Sequence, residues 1–214
     1  MPGEMPFGFA QSRPVRLSLV GNPHFSQMRR EMGHPIFRRL LVNPKGQRDQ
    51  RRLPALGENC RYNGGVEIVI RDFKPEDFDT LWRMDQECFQ PGIAYSRQEL
   101  RAYIRARGSF TLVAVDEDQG KSEGFIVAHG GPTGHIVTID VVATARRAGV
   151  GSMLLRAAEK RLQGEGSRAV GLETAVDNSA ALSFYKRHGY SVIRTWPRYY
   201  TNGVDALVLR KELA

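Results

Sequence analysis

The rhythm of apolar and polar positions divides the chain near residue 66. Upstream, no apolar period lasts more than a few residues; PIFRRLLV (35–42) predicts one transient helical turn, and NPKGQRDQRR ends it. Downstream the pattern is regular. VEIVIR (66–71) alternates as a strand, and KPEDFDTLWRMDQECF (74–89) sets Phe78, Leu81, Trp82, Cys88 and Phe89 at helical spacing behind Pro75, a residue suited to a first turn. SRQELRAYIRAR (96–107) predicts a second helix, with Ser96 and Glu99 as a capping box. SFTLVAVDED, SEGFIVAHGG and HIVTIDVVA, joined by turns at Gly120 and at Pro132 to Gly134, predict an antiparallel meander. A helix over 150–164 buries Met153, Leu154, Ala157, Ala158 and Leu162. RAVGLETAV (168–176) is a strand again, and a strand–helix–strand unit predicts a parallel pair. A helix over 178–188 closed by Gly189, then strands YSVIRTW and DALVLRKEL, complete an α+β domain whose mixed sheet carries helices on both faces.

Composition sharpens the division. Residues 1–65 hold seven of the eleven prolines and 11 Lys+Arg against 4 Asp+Glu, a balance of +7. The remaining residues hold 20 against 19, so the net charge of +8 belongs almost wholly to the first segment. Such a segment cannot fill a core and is expected to be a disordered basic extension, with the domain spanning 66–214. Three readings of it stay open: an inert extension or a wrongly assigned start, with Val66 where an initiator could sit; a basic arm contacting nucleic acid or the ribosome; or a targeting segment. No run of 18 apolar residues occurs, so no membrane span is expected, and a cytoplasmic protein is predicted. Cys60 and Cys88 have no metal-ligand spacing, which predicts a metal-free protein in a reducing compartment.

Candidate chemistry begins where the apolar run IDVV meets the next helix, at ATARRAGVG (143–151). A glycine turn leading into a helix N-terminus offers unpaired N–H groups and a positive dipole end, a natural phosphate site. Gly149 and Gly151 permit close approach, and Arg146 or Arg147 can add a charge-assisted contact. The loop lacks the third glycine of a dinucleotide fingerprint and the Lys-Ser/Thr of a P-loop. Taken alone it leaves a plain structural turn equally open. LETAVDNSAALSFYKRHGY then places Glu173 in a strand, Asn178 at a helix start and Tyr185 seven residues on, two turns away on the same face.

Together these residues resemble the GNAT superfamily of acetyl-CoA-dependent N-acetyltransferases, whose Arg/Gln-x-x-Gly-x-Gly/Ala pattern is met by Arg146, Gly149 and Gly151. The chain is most similar to the RimI type, which acetylates the N-terminal residue of a ribosomal protein, and to archaeal and eukaryotic N-terminal relatives. The resemblance covers residues 66–214, most strongly from Ile136 to Leu209. Ala143 stands where a proline is usual, and residues 1–65 have no counterpart.

The resemblance implies a GNAT-like, mostly antiparallel sheet with one splayed parallel strand pair. Acetyl-CoA would serve as cosubstrate, its pyrophosphate on the amides from Arg146 through Arg147, Gly149 and Val150 to Gly151, its pantetheine along Ile139, Val141 and Val142, and Asn178 on the other side. Glu173 would be the general base, through water, and Tyr185 the general acid. Tyr199 and Tyr200 resemble the pair that lines the peptide entrance in N-terminal acetyltransferases, so the implied acceptor is the α-amine of a protein or peptide. A lysine side chain, a small amine, and a non-catalytic CoA-binding protein are the alternatives. Histidines 129, 135 and 188 show no ligand spacing and are read as structural.

Overall fold

The computed structural model describes residues 60–61, 67–88, 94–200 and 203–213. Of the extension predicted over 1–65, residues 1–59 and 62–65 lie outside the described residues, as do the start at Val66 and the helical position of Phe89. Cys60 and Arg61 form a short strand at the sheet edge, so the sheet begins before the predicted boundary at 66. Eight strands form one sheet: β1 (Cys60–Arg61), β2 (Glu67–Asp72), β3 (Ser109–Asp116), β4 (Ser122–His129), β5 (Thr133–Val141), β6 (Ala169–Ala175), β7 (Ser191–Trp196) and β8 (Ala206–Glu212). Their spatial order is β1-β2-β3-β4-β5-β6-β8-β7, and every neighbouring pair is antiparallel except β5–β6. Four helices cover it: α1 (Phe78–Cys88), α2 (Arg97–Arg105), α3 (Val150–Gly164) and α4 (Ser179–Arg187). None of the described helices is long and apolar enough to cross a membrane.

Local sequence explains most boundaries. Ser96 accepts the Glu99 N–H at 3.2 Å while the Glu99 carboxylate takes the Ser96 N–H at 3.0 Å, closing the capping box that starts α2. α1 is preceded by a 3-10 turn at Pro75–Asp77, where Asp77 accepts the Lys74 N–H and two bonds from Arg71. β5 begins at Thr133, so the turn predicted at Pro132 to Gly134 is shorter than expected.

Two cores sandwich the sheet. Phe78, Leu81, Met84, Cys88 and Leu100 of α1 and α2 meet Val113, Phe125 and Val127 on one face. Val150, Leu154, Leu155, Ala158 and Leu162 of α3, with Ala181, Phe184 and Tyr185 of α4, meet Ile126, Ile136, Ile139, Val141 and Leu172 on the other. Met153, expected inside, is only partly buried.

The parallel pair is short. β5 and β6 are in register at Thr133↔Ala169, Gly134↔Val170 and His135↔Gly171, and there the pairing stops. Two residues later β5 bulges: its ladder with β4 passes from Ala128↔Ile136 to Val127↔Thr138, leaving Val137 without an opposite residue. An extra residue bends a strand away from its neighbour, so β5 and β6 part beyond the bulge and leave a wedge-shaped opening.

Candidate active site

The opening is edged by backbone rather than by side chains. The Val142 N–H donates to Glu123 O at 3.0 Å, which turns residue 142, and by alternation residue 140, towards β4. The backbone groups of Ile139 and Val141 therefore face the opening. At its upper end the chain passes through a 3-10 turn (Ala143–Ala145) into α3. Gly149 is the N-cap, with φ 92°, a left-handed conformation that glycine adopts without strain. Gly151 is different. A Cβ there would make only ordinary contact, 3.6 Å from the Phe184 ring, so packing does not demand a glycine. Since the first intrahelical bond runs from Met153 N to Gly149 O, the N–H groups of Val150, Gly151 and Ser152 precede it and point out of the helix end.

The two arginines divide their roles in a way that spacing alone does not show. The Arg146 guanidinium turns inward: Nε donates to Val141 O at 2.9 Å and one terminal nitrogen lies 3.5 Å from the Cys88 sulfur. It braces the loop against the end of β5. Arg147 is exposed and has φ 61°.

Below the opening, Glu173 and Tyr185 approach from opposite faces. Leu172 belongs to the core under α3 and α4, so Glu173 projects to the α1 side. It is buried, and its Oε2 lies 2.8 Å from His135 Nε2. Reading His135 as a plain structural residue missed this contact. Tyr185 is 0% exposed, packed between Phe184 and Tyr190, and its hydroxyl has no hydrogen-bond partner among the described residues. Burial, then the charges of Asp140, Tyr200, Glu173 and Glu159, push the phenol well above its ordinary value, so it holds its proton throughout the working range. The Thr174 hydroxyl is likewise buried and unpartnered among the described residues. Orphaned buried hydroxyls are uncommon and call for a missing partner, which an elongated polar ligand in the opening would supply.

Asn178 stands before α4 rather than within it. It is the N-cap, with φ −81° and ψ 71°, and its side-chain oxygen accepts the Ala181 N–H at 3.1 Å. The seven-residue spacing to Tyr185 therefore does not measure two helical turns. Tyr199 and Tyr200 lie in the β7–β8 loop and pack edge to face at 5.1 Å, with Trp196 beside Tyr199. The loop is pinned by Tyr200 N to Val204 O at 3.0 Å and Arg198 N to Asp205 Oδ1 at 2.7 Å. The Tyr200 hydroxyl is buried without a partner among the described residues. Burial foremost, then the charges of Glu173 and Asp177, raise its pKa. No group of three or more metal-ligating side chains occurs among the described residues.

The model of the acetyltransferase (GNAT) family matches residues 78–190. An N-alpha-acetyltransferase of Sulfurisphaera tokodaii is 36% identical over 165 residues, spanning 70% of this chain and 95% of that one. A chain in the crystal structure of the NatC complex bound to Gag peptide and CoA superposes with a TM-score of 0.60 at 29% identity, covering 69% of this chain and 99% of its own. The ribosomal-protein-S18-alanine N-acetyltransferase of Escherichia coli shares the fold, with a TM-score of 0.62 at 19% identity over 69% of this chain and 94% of its own.

Proposed function

The chain belongs to the GNAT family and is an acetyl-CoA-dependent N-acetyltransferase, and we propose that its acceptor is the α-amine at the N-terminus of a protein or peptide. The observation that carries this reading is the tyrosine loop. It is fixed on the α1 side of the opening, the side to which Glu173 projects, with the Tyr200 hydroxyl buried and unpartnered among the described residues. A peptide backbone offers the amide and carbonyl groups that such hydroxyls bond. The relatives named N-alpha-acetyltransferase support the same acceptor. The RimI-type resemblance suggests a ribosomal protein as one such acceptor.

The site residues fit the cosubstrate: a divided strand pair, amides at a helix end in front of a glycine that packing does not require, and orphaned hydroxyls. The amides of Val150 and Gly151 would hold its pyrophosphate, with Arg147 adding charge from outside, and the backbone of Ile139 and Val141 would align its pantetheine arm. Bound acetyl-CoA supplies an activated acyl thioester. The Val141 N–H faces the opening and can stabilise the oxyanion that develops there. Glu173, oriented by His135, takes the proton of the acceptor ammonium through water. Tyr185, held neutral by burial, protonates the departing sulfur. At pH 7, freeing an α-amine of pKa ~8 costs about 1.4 kcal/mol, against about 4.6 kcal/mol for a lysine of pKa ~10.4, so a modest carboxylate base suits the former.

Tyr200→Ala is expected to lower peptide turnover by about 10-fold or more, because a lost hydrogen bond in a desolvated site costs ~1–3 kcal/mol. Affinity for acetyl-CoA, measured by calorimetry, should be spared, since the tyrosine loop stands on the acceptor side. Equal turnover of peptides by wild type and variant would remove the loop from the acceptor site.

A further inference from the structure

The residue given the oxyanion, Val141, stands where β5 has a strand neighbour on one side only. β5 and β6 part at the bulge, and beyond it β5 is paired with β4 alone, up to Gly124↔Val141. The Val142 N–H donates to Glu123 O at 3.0 Å, which leaves both the N–H and the carbonyl of Val141 directed at the opening. A strand end unpaired along one edge can twist and shift. An N–H that is to meet a developing oxyanion has to be held to within about 0.5 Å.

Arg146 takes the place of the missing strand. Its Nε donates to Val141 O at 2.9 Å, the Cys88 thiol donates to the same oxygen at 3.6 Å, and a terminal nitrogen of Arg146 reaches the Cys88 sulfur at 3.5 Å. The three groups form a closed triangle of contacts. The peptide unit between Val141 and Val142 is thereby anchored at both ends, its carbonyl by Arg146 and Cys88 and its N–H by Glu123. The bond from the guanidinium is charge-assisted, and so the strongest of these. The loop delivers the side chain to this place: Ala145 N to Val142 O at 3.1 Å and Arg146 N to Ala143 O at 3.4 Å reverse the chain after β5, and the side chain returns over the strand end. Arg146 is half-buried there, whereas Arg147, next to it, is exposed.

We propose that Arg146 is a positioning residue for the acyl end of acetyl-CoA rather than a ligand of its phosphates: by holding the Val141 carbonyl it fixes the direction of the Val141 N–H that meets the oxyanion. The proposal rests on the oxyanion role of that N–H and not on which amine accepts the acetyl group. What position 146 requires is then an N–H donor at the place of Nε, and a positive charge is secondary. Glutamine supplies the donor, because its amide nitrogen stands as many bonds from the backbone as Nε does. Lysine has a methylene at that place and carries its charge one bond further out. Methionine has neither donor nor charge.

The test compares wild type with Arg146→Gln, Arg146→Lys and Arg146→Met in three measurements: kcat from release of the CoA thiol, the Kd of acetyl-CoA by calorimetry, and kcat/KM with S-acetylpantetheine, which keeps the thioester and lacks every phosphate. Arg146→Met should lower kcat about 10-fold with Kd within about 2-fold, and should lower kcat/KM by the same factor with S-acetylpantetheine as with acetyl-CoA. Arg146→Gln should recover most of the loss, to within about 3-fold of wild type, and should turn over faster than Arg146→Lys. That order of Gln above Lys keeps the test open should Arg146→Met fold poorly. A phosphate ligand gives the opposite results: Lys above Gln, acetyl-CoA affinity lowered about 10-fold or more in Gln and Met alike, and a loss that vanishes with S-acetylpantetheine. Any of these, or a wild-type kcat in Arg146→Met, would overturn the proposal. The acceptor in every assay is whichever amine the wild type labels, so a wrong acceptor shows in the wild type itself and a wrong role for Arg146 only in the variants.

Discussion

Tyr185→Phe is expected to lower turnover by about 100-fold or more while leaving acetyl-CoA affinity within about 2-fold. The substitution removes one oxygen and nothing else. The ring of Tyr185 packs at 5.3 Å from Phe184 and 5.1 Å from Tyr190, contacts that phenylalanine keeps. Its hydroxyl is buried without a partner among the described residues, so losing it relieves an uncompensated polar group, and the variant should melt at or above the wild-type temperature. A slow, stable enzyme would therefore report chemistry, not damage to the fold. Steady-state kinetics with calorimetric titration of acetyl-CoA separates the two effects. Unaltered turnover would mean that the tyrosine is a packing residue.

Gly151→Glu is expected to abolish acetyl-CoA binding, weakening it by about 100-fold or more, because the side chain fills the space before the α3 amides and brings a like charge to a phosphate site. Gly149 is the less informative position for such a change. Its φ of 92° strains any other residue, so a loss there mixes backbone strain with ligand exclusion. Gly151 has no such demand, and a Cβ there meets the Phe184 ring at an ordinary 3.6 Å. Wild-type melting without ligand, together with the absence of the melting-temperature rise that acetyl-CoA gives the wild type, is the expected pair of results. A retained rise would place the cosubstrate elsewhere.

The parts of this site that follow from local pattern are legible in the amino-acid sequence alone. α3 runs over Val150–Gly164 as its apolar period predicts, Ser96 and Glu99 cap α2, and the glycine loop lies between β5 and α3. What the sequence does not disclose depends on register and on side-chain direction. The bulge falls where two apolar residues, Ile136 and Val137, stand side by side, and the sequence does not say which of them is the extra one. The contact of His135 with Glu173 joins residues 38 apart, and only the parallel register that sets His135 beside Gly171 brings them together. Cys88 and the Val141 carbonyl meet because α1 packs on β5, a tertiary choice that neither segment announces. Arg146 satisfies the family pattern, but its inward turn depends on the Val141 carbonyl and the Cys88 thiol that receive it. Asn178 reads equally well as a helix-face residue or as a cap until its backbone angles are known.

The most direct test of the account is to incubate the enzyme with acetyl-CoA and two peptides of one sequence, beginning with a small residue. One has a free N-terminus and no lysine; the other has a blocked N-terminus and a free lysine. Fragment-ion mass spectrometry then locates the acetyl group. Acetylation at the α-nitrogen of the first peptide, with little or none on the second, is the result the account predicts; labelling confined to the lysine side chain would contradict it.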